Sequence, residues 1–148
     1  MQTRVLIEPR PRDDLGLVLL LDLALKELFT RYPASRSHPV DPATSFLVAD
    51  HKGDAIGCIG LMPVVAGVGE IKRMYVRPDQ RGQGIARRLI GSAEALARHR
   101  GATTLRLATG SRQPEAISLY ESLSYRPAPA YGKYVHEPTA LCYAKSLN

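Results

Sequence analysis

Two glycines and four arginines lie close together in the segment "RPDQRGQGIARRLI" at residues 77–90. Gly82 and Gly84 have no side chains, so a phosphate could approach the backbone there. The basic side chains that flank them most closely are Arg81, Arg87 and Arg88. A strand that turns directly into a helix at this point leaves backbone N–H groups without partners at the helix start. The segment therefore predicts a cradle for a pyrophosphate.

Two other phosphate-binding patterns do not fit the segment. A dinucleotide fingerprint requires a third glycine where Arg87 stands, and the lysine followed by serine or threonine that a P-loop requires is absent. On glycine count alone, a solvent-exposed turn with no ligand explains the segment equally well. The surrounding elements must therefore distinguish the two interpretations.

Hydrophobic periodicity indicates the elements that would position this segment. Apolar runs predict seven strands, at residues 4–8, 45–50, 55–65, 69–76, 103–109, 124–128 and 139–145. Helical spacing predicts helices at residues 15–32, 85–100 and 114–123. Since a strand, a helix and a further strand form a crossover unit around the glycines, we expect strands 69–76 and 103–109 to be parallel neighbours.

The leucine-rich segment at residues 15–29 superficially resembles a signal sequence. Asp22 and Lys26 interrupt it, no small-residue cleavage site follows, and it is too short to span a bilayer. These two charges lie four residues apart, on one face of a helix. We therefore predict a core helix with a narrow polar stripe.

Composition is typical of one folded domain. The 148 residues suit a single domain over residues 1–148, and 45% hydrophobic with 23% charged residues is ordinary for a globular chain. The net charge of +6 favours an anionic partner but does not distinguish between nucleic acid, an acidic membrane and a phosphorylated cofactor.

Cys58 and Cys142 lie in apolar settings without zinc or redox spacing, so we predict buried free thiols.

The glycine segment stands in a specific setting. The strand "EIKRMYV" precedes it, a helix and a strand follow it, and then comes "AISLYESLSY" at residues 116–125. Within the segment, Arg81, Gly84 and Ala86 fit the pattern [QR]-x-x-G-x-[GA]. Pattern and setting together resemble the acetyl-CoA-binding motif of the GNAT superfamily of N-acetyltransferases, whose later element reads "AI-x-LYEKLGF".

This resemblance implies a fold and a reaction. The fold is α/β (α+β), with a mixed, mostly antiparallel sheet of six to seven strands, flanking helices and a central parallel pair that splays apart to hold the pantetheine arm of acetyl-CoA. The reaction is transfer of the acetyl group of acetyl-CoA to a primary amine of a small molecule or peptide, by direct attack in a ternary complex. The alternative is a catalytically inert CoA-binding sensor or partner subunit.

The resemblance also assigns cofactor-binding residues. The backbone of Met74, Tyr75 and Val76 would bind the acetyl and pantetheine amides, and the amides of residues 82–87 would hold the pyrophosphate. The implied set is Met74, Tyr75, Val76, Arg81, Gly82, Gln83, Gly84, Ile85, Ala86, Arg87, Gln113 and Tyr120. The candidates to meet the 3′-phosphate are Arg81, Arg88 and Arg112.

Two side chains match the family positions that move protons. Glu70 would remove a proton from the attacking amine, directly or through water, and Tyr120 would protonate the departing thiolate. A glutamate that pairs with Lys72 or Arg73, and a tyrosine packed between helix and sheet, are the structural alternatives.

The chain departs from the family pattern in two places. Gln113 stands where the family often has an asparagine that contacts the cofactor arm, and Ser124 and Tyr125 replace the Gly and Phe of "LGF". A serine is disfavoured at position 124 if that turn needs a positive φ.

The signature does not fix the acceptor amine. Its pocket would be shaped by residues 29–41, 61–67 and 127–138, and a small polar amine, with or without a carboxylate, is the expected ligand. The side chains that could bind it are Tyr32, Arg73, Tyr131, Tyr134 and His136.

Other partners are not expected. His38, His51, His99 and His136 lack ligand spacing, which argues against a metal. The arginines cluster at one helix start and 6% of residues are aromatic, a pattern that does not favour nucleic acid binding. We expect no membrane association and a cytoplasmic location, and the oligomeric state stays open, with a homodimer as one option.

Overall fold

The computed structural model describes residues 4–34 and 39–148. The strands are β1 (Leu6–Arg10), β2 (Ser45–His51), β3 (Asp54–Leu61), β4 (Val68–Val76), β5 (Thr104–Gly110), β6 (Arg126–Pro127) and β7 (Ala140–Ser146). The helices are α1 (Leu15–Arg31), α2 (Ile85–His99) and α3 (Pro114–Ser122), with short 3₁₀ turns at Pro78–Gln80 and Gly132–His136. Residues 35–38, which include His38 and part of the predicted acceptor segment 29–41, lie outside the described residues.

The strands form one mixed sheet with the order β1-β2-β3-β4-β5-β7-β6. Neighbouring strands are antiparallel except for the central pair β4 and β5, which are parallel and joined by α2. This confirms the predicted fold class, a mostly antiparallel sheet of seven strands with a central parallel pair and flanking helices.

Helix α1 is capped at its N-terminus by a side chain, and one of its faces is buried against the sheet. The Asp14 carboxylate accepts a hydrogen bond from the Leu17 amide at 3.0 Å, which satisfies one otherwise free N–H group. Leu17 and Leu20 are fully buried against the sheet. The predicted polar stripe is confirmed, because Asp22 and Lys26 pair at 3.0 Å on the exposed side. The prediction that α1 is a core helix is wrong, because α1 forms an outer layer whose far side the described residues leave exposed. The exposed apolar side chains there are Leu15, Val18 and Leu19.

Helices α1 and α2 pack on opposite faces of the sheet. In β2, Leu47 and Ala49 join the core cluster of α2, whereas Phe46 and Val48 join that of α1, as expected for side chains that alternate along a strand. Gly101 follows α2 with a φ of 87°, the left-handed conformation in which a glycine commonly ends a helix. The side chains that α2 buries include Ile85, Leu89, Ile90, Ala93 and Ala97.

Two strand boundaries differ from the prediction because of proline. The first strand was predicted at residues 4–8, yet β1 continues to Arg10, with Pro9 opposite Leu47, where an edge strand tolerates a missing N–H donor. Strand β3 ends at Leu61 rather than residue 65, since Pro63 cannot continue the ladder. Neither difference moves the central parallel pair.

Cys58 and Cys142 are buried free thiols, as predicted. Burial raises the pKa of Cys58 to about 12, so this thiol stays protonated near neutral pH. No helix of residues 4–34 and 39–148 combines the length and apolar character needed to cross a membrane.

Candidate active site

Strands β4 and β5 pair with each other near their starts and then separate. The described register contains Val68↔Thr104, Gly69↔Leu105 and Glu70↔Arg106. Strand β4 continues past that register to Val76, and β5 continues to Gly110. The gap between them confirms that the central pair splays at its C-terminal end, the edge where open sheets bind ligands.

A β-bulge lies in β4 beside this gap. Cys58 of β3 pairs with Tyr75, and Gly60 pairs with Lys72, so one residue of β3 faces two residues of β4. Arg73 lies at the bulge with a φ of 55°, a conformation that costs a non-glycine residue about 1–2 kcal/mol. Because bulges bend a strand and redirect its side chains, this one shapes the wall of the gap.

The gap opens into a cavity of about 920 Å³. Helix α1, strands β4 and β5, helix α3 and the segment at residues 131–140 all contribute to its wall. The predicted site residues that line it are Tyr32, Glu70, Arg73, Met74, Tyr75, Gln113, Tyr120, Tyr131 and Tyr134.

The glycine segment forms the turn between β4 and α2. Gly82 and Gly84 have φ values of 80° and 79°, and a side chain added at either would meet nothing within 4 Å. The glycines are therefore needed for the backbone conformation rather than for packing. Gly84 is the N-terminal cap residue of α2, it makes no side-chain cap bond, and the first turn of the helix carries no acidic residue. Such a helix start offers free amides and a positive dipole to an anion.

The arginines near this turn have protein partners. Arg81 donates to the Val76 carbonyl at 2.9 Å and pairs with Glu27 of α1 at 2.8 Å. The other expected phosphate partners also make polar contacts. These are Arg87 with Ser122, Arg88 with the Val5 carbonyl, and Arg112 with the Arg31 carbonyl. Phosphate binding by any of these side chains would have to add to or replace such contacts.

Glu70 lies in the cavity wall between two cations. Its carboxylate oxygens lie 2.7 Å from Lys72 Nζ and 3.4 Å from Arg106 Nε, and 12% of its side chain is exposed. Burial alone would lower the pKa of Lys72, but hydrogen bonds to Glu70 and Tyr134 outweigh burial and raise it. Lys72 also donates to the Tyr134 hydroxyl. The predicted Lys72 pairing is thus present, and Arg106 is a partner that sequence reasoning missed.

Tyr120 projects from α3 into the cavity wall. The ring packs edge to face with Tyr125, with centroids 5.8 Å apart. Its hydroxyl lies 3.9 Å from the sulfur of Met74, a weak acceptor. Burial raises the pKa of Tyr120, so the hydroxyl keeps its proton at neutral pH. The Tyr120 ring therefore packs in the core, and its hydroxyl carries a proton that could be donated.

Four of the five predicted acceptor-binding residues line the cavity, and His136 does not. His136 is exposed in the 3₁₀ turn that follows Tyr131. Tyr32, at the end of α1, accepts a hydrogen bond from the Arg112 amide at 2.7 Å and thereby joins α1 to the loop before α3.

Sequence reasoning missed Lys133, which lines the same wall as Tyr134. No strand or helix pattern in that segment could have indicated that Lys133 faces the cavity.

The second departure from the family pattern, at Ser124 and Tyr125, has a structural counterpart at each residue. Ser124 has a φ of 73°, so the turn does require the conformation that favours glycine. The Tyr125 hydroxyl donates to Glu94 at 2.8 Å, and Lys145 pairs with the same carboxylate oxygen at 3.0 Å. A tyrosine here therefore completes a buried charged network that a phenylalanine could not.

Metal ligands do not cluster in the part of the chain that the structure describes. Within it, no three residues of the types His, Cys, Asp and Glu lie close enough to hold an ion.

The family model described as "Acetyltransferase (GNAT) family" matches residues 17–125. Because this match covers most of the sequence, the chain belongs to the GNAT family of acetyltransferases, whose members use acetyl-CoA. A relative from Azospirillum brasilense named "IAA acetyltransferase" is 36% identical over 139 residues, which cover 89% of this chain and 91% of that protein. "N-acetyltransferase 8" of Rattus norvegicus is 33% identical over 97 residues, 62% of this chain and 44% of that protein.

Solved structures show the same architecture. A Klebsiella pneumoniae crystal structure described as an acyl-CoA N-acyltransferase has a TM-score of 0.84 at 31% identity and covers 97% of this chain and 98% of that one. A GNAT acetyltransferase of Elizabethkingia anophelis with acetyl-CoA bound has a TM-score of 0.73 at 20% identity and covers 96% of this chain and 97% of that one. At that identity the second likeness shows the fold alone.

Proposed function

We propose that the protein transfers the acetyl group of acetyl-CoA to a primary amine of a small molecule or peptide, by direct attack in a ternary complex. The observation that carries this proposal is the divergence of β4 and β5 into a cavity whose wall contains both Glu70 and Tyr120. When bound, acetyl-CoA supplies an electrophilic thioester. The residues of this chain must then hold it, orient the amine and move two protons.

The cofactor would lie along β4 and reach the start of α2. Met74 and Tyr75 border the cavity where β4 has separated from β5, so their backbone faces a gap into which an extended arm could enter. The pyrophosphate would bind the amides of residues 82–87, where the helix dipole favours an anion. Gln113, in the cavity wall at the start of α3, would contact the arm.

Glu70 is proposed as the base. An amine must lose a proton to attack a thioester, and Glu70 is a carboxylate in the cavity wall that Lys72 and Arg106 hold in position. It would accept that proton directly or through a water molecule. Glu27, another carboxylate of the wall, is engaged by Arg81 near the glycine turn.

Tyr120 is proposed as the acid. Its hydroxyl stays protonated at neutral pH and is held by the weak contact to Met74, so it can donate to a thiolate without breaking a strong hydrogen bond. Met74 also belongs to the proposed cofactor strand, and its contact with the Tyr120 hydroxyl supports a position of that hydroxyl beside the thioester sulfur.

Cofactor binding and turnover should be measured separately. We expect acetyl-CoA to raise the melting temperature and to give calorimetric binding heat, since a ligand that binds the native state stabilises it. A panel of amino acids, polyamines, aminoglycosides and peptides, followed by release of free CoA thiol, then tests for an acceptor. A folded protein that shows no shift and no heat would contradict the proposal. Binding without turnover on any amine would favour the inert sensor.

Gly84→Glu tests the cradle directly. The substitution puts bulk and negative charge where the pyrophosphate would bind, so acetyl-CoA binding should be lost. Gly91→Glu is the matched control, because Gly91 is an exposed glycine of the same helix with open space around it. Melting of both variants without ligand separates a folding defect from a loss of binding. Normal affinity in Gly84→Glu would show that the pyrophosphate binds elsewhere.

A further inference from the structure

One end of the cavity carries more positive than negative side chains. It is formed by the first half of β4, the facing part of β5 and the segment at residues 131–137. The charged residues that line it are Lys72, Arg73, Arg106 and Lys133, with Glu70 and Glu137. Among the described residues of this end, two carboxylates thus lie with four cations.

Glu70 is already shared by two of these cations. Lys72 Nζ lies 2.7 Å from one carboxylate oxygen of Glu70, and Arg106 Nε lies 3.4 Å from the other. The Arg106 guanidinium carbon also lies 3.9 Å from the ring centroid of Tyr131. Stacking on the ring fixes the guanidinium plane and leaves its edge, with the terminal N–H donors, for a planar anion.

Lys133 has no ion-pair partner within residues 4–34 and 39–148. Its Nζ lies 5.3 Å from the ring centroid of Tyr134, on the cavity wall. Partial desolvation against that wall, followed by the nearby charges of Lys72 and Arg73, lowers the pKa of Lys133. The nearby carboxylates of Glu137 and Glu70 oppose this lowering, and an anion bound beside Lys133 would offset the repulsion from Lys72 and Arg73.

The hydroxyl of Tyr131 is buried and has no hydrogen-bond partner among the described residues. Burial raises the pKa of Tyr131, and the charge of Glu70 raises it further, so this group stays a donor. An unpaired buried hydroxyl is costly. A carboxylate oxygen bound beside Arg106 would be the acceptor that it lacks.

We propose that the acceptor is an amino-carboxylic acid whose carboxylate binds Lys133 and Arg106, with Tyr131 as an additional donor. This inference rests on the proposed acetyl transfer and narrows its substrate. The ligand's amine would face Glu70, which Arg106 also contacts, so both groups of a small amino acid lie within reach of one wall. Polyamines and aminoglycosides are disfavoured, because they would add positive charge to an end of the cavity that already has an excess.

Matched pairs of acceptors test this specificity. Each free amino acid is compared with its amide in acetyl-CoA-dependent thiol release, and rates are expressed per neutral amine because amidation lowers the pKa of the amine. We expect kcat/KM to favour the acids by about 10- to 100-fold, the range typical of charge-assisted hydrogen bonds. Lys133→Gln should lower the preference by at least about 3-fold, because one of the two cations that bind the carboxylate is lost while Arg106 remains, whereas Lys133→Arg should retain it. Lys52→Gln, on the exposed β2–β3 turn, is the control.

The same pairs are also titrated by calorimetry into the protein saturated with CoA, so that binding is measured without turnover. Amides that react and bind as well as acids would overturn the inference. An acid preference that is unchanged in Lys133→Gln would also overturn it. If acetyl-CoA binds and no amine is acetylated, the proposed function fails. Tighter binding of acids than amides, weakened by Lys133→Gln, would then still support the anion site.

Discussion

Replacing Tyr120 by phenylalanine removes one hydroxyl and leaves the ring in place. The ring supplies the buried surface of this side chain and the edge-to-face contact with Tyr125, both of which the variant keeps. The hydroxyl makes a 3.9 Å contact with the Met74 sulfur. Because sulfur is a weak acceptor, we expect the free energy of unfolding and the free energy of acetyl-CoA binding each to change by less than about 1 kcal/mol.

Turnover should respond far more strongly than binding. If Tyr120 protonates the leaving thiolate and this step limits the rate, kcat should fall by about 10²- to 10⁴-fold, the range for a positioned acid or base. Burial raises the pKa of Tyr120, so the phenol stays protonated throughout the neutral pH range. Thiol release under saturating acetyl-CoA measures kcat, and calorimetry measures affinity for the cofactor.

Tyr143→Phe is the matched control for this experiment. Tyr143 is also a buried tyrosine, but it lies on β7 outside the cavity wall, so its variant should keep full turnover. Full activity in Tyr120→Phe would refute the general-acid role. Equal losses of affinity and turnover would instead assign Tyr120 a packing or positioning role.

Three further variants test the base and the departure from the family pattern at Ser124 and Tyr125. Glu70→Gln should lower kcat/KM by about 10²- to 10⁴-fold and remove the acidic limb of the pH profile; an unchanged limb would leave Glu70 a partner of Lys72 and Arg106. Ser124→Gly should stabilise the fold by about 0.5–1 kcal/mol in urea unfolding, because relief of a positive φ exceeds the entropic cost of glycine. Ser111→Gly, an exposed loop control without a positive φ, should not stabilise it. Tyr125→Phe should lower the free energy of unfolding by about 1.5–3 kcal/mol, since the buried Glu94 carboxylate loses a donor; an unchanged unfolding midpoint would show that this bond contributes nothing.

The elements proposed to bind the cofactor were largely predictable, because the sequence patterns that specify them are local. Glycine is needed at positions 82 and 84 for a left-handed backbone, and the helical spacing that begins at Ile85 fixes where α2 starts. The crossover rule then makes β4 and β5 parallel without any knowledge of distant residues. These features depend on neighbouring residues and on chain handedness, so sequence reasoning could place them to within a few residues.

The depth of burial of α1 was not predictable in the same way. Its leucines continue around most of the helix, and Asp22 and Lys26 mark only a narrow polar stripe, so the sequence does not show how wide the solvent side is. Leu17 and Leu20 are buried because the sheet lies on their side, and Leu15 is exposed because no described element covers it. The hydrophobic pattern identifies a helix, but the arrangement of layers decides which of its residues form the core.

The sequence by itself determined the family, the order of elements, the glycine turn and the candidates Glu70 and Tyr120. Tertiary structure decided what surrounds them. Arg106 meets Glu70 through the register of parallel strands, and Lys133 joins the same cavity from a segment with no periodic pattern. Such contacts join residues that are far apart in the chain, and local propensity has no information about distant partners. Only the packed fold brings these charges together at the end of the cavity that is proposed to bind the acceptor.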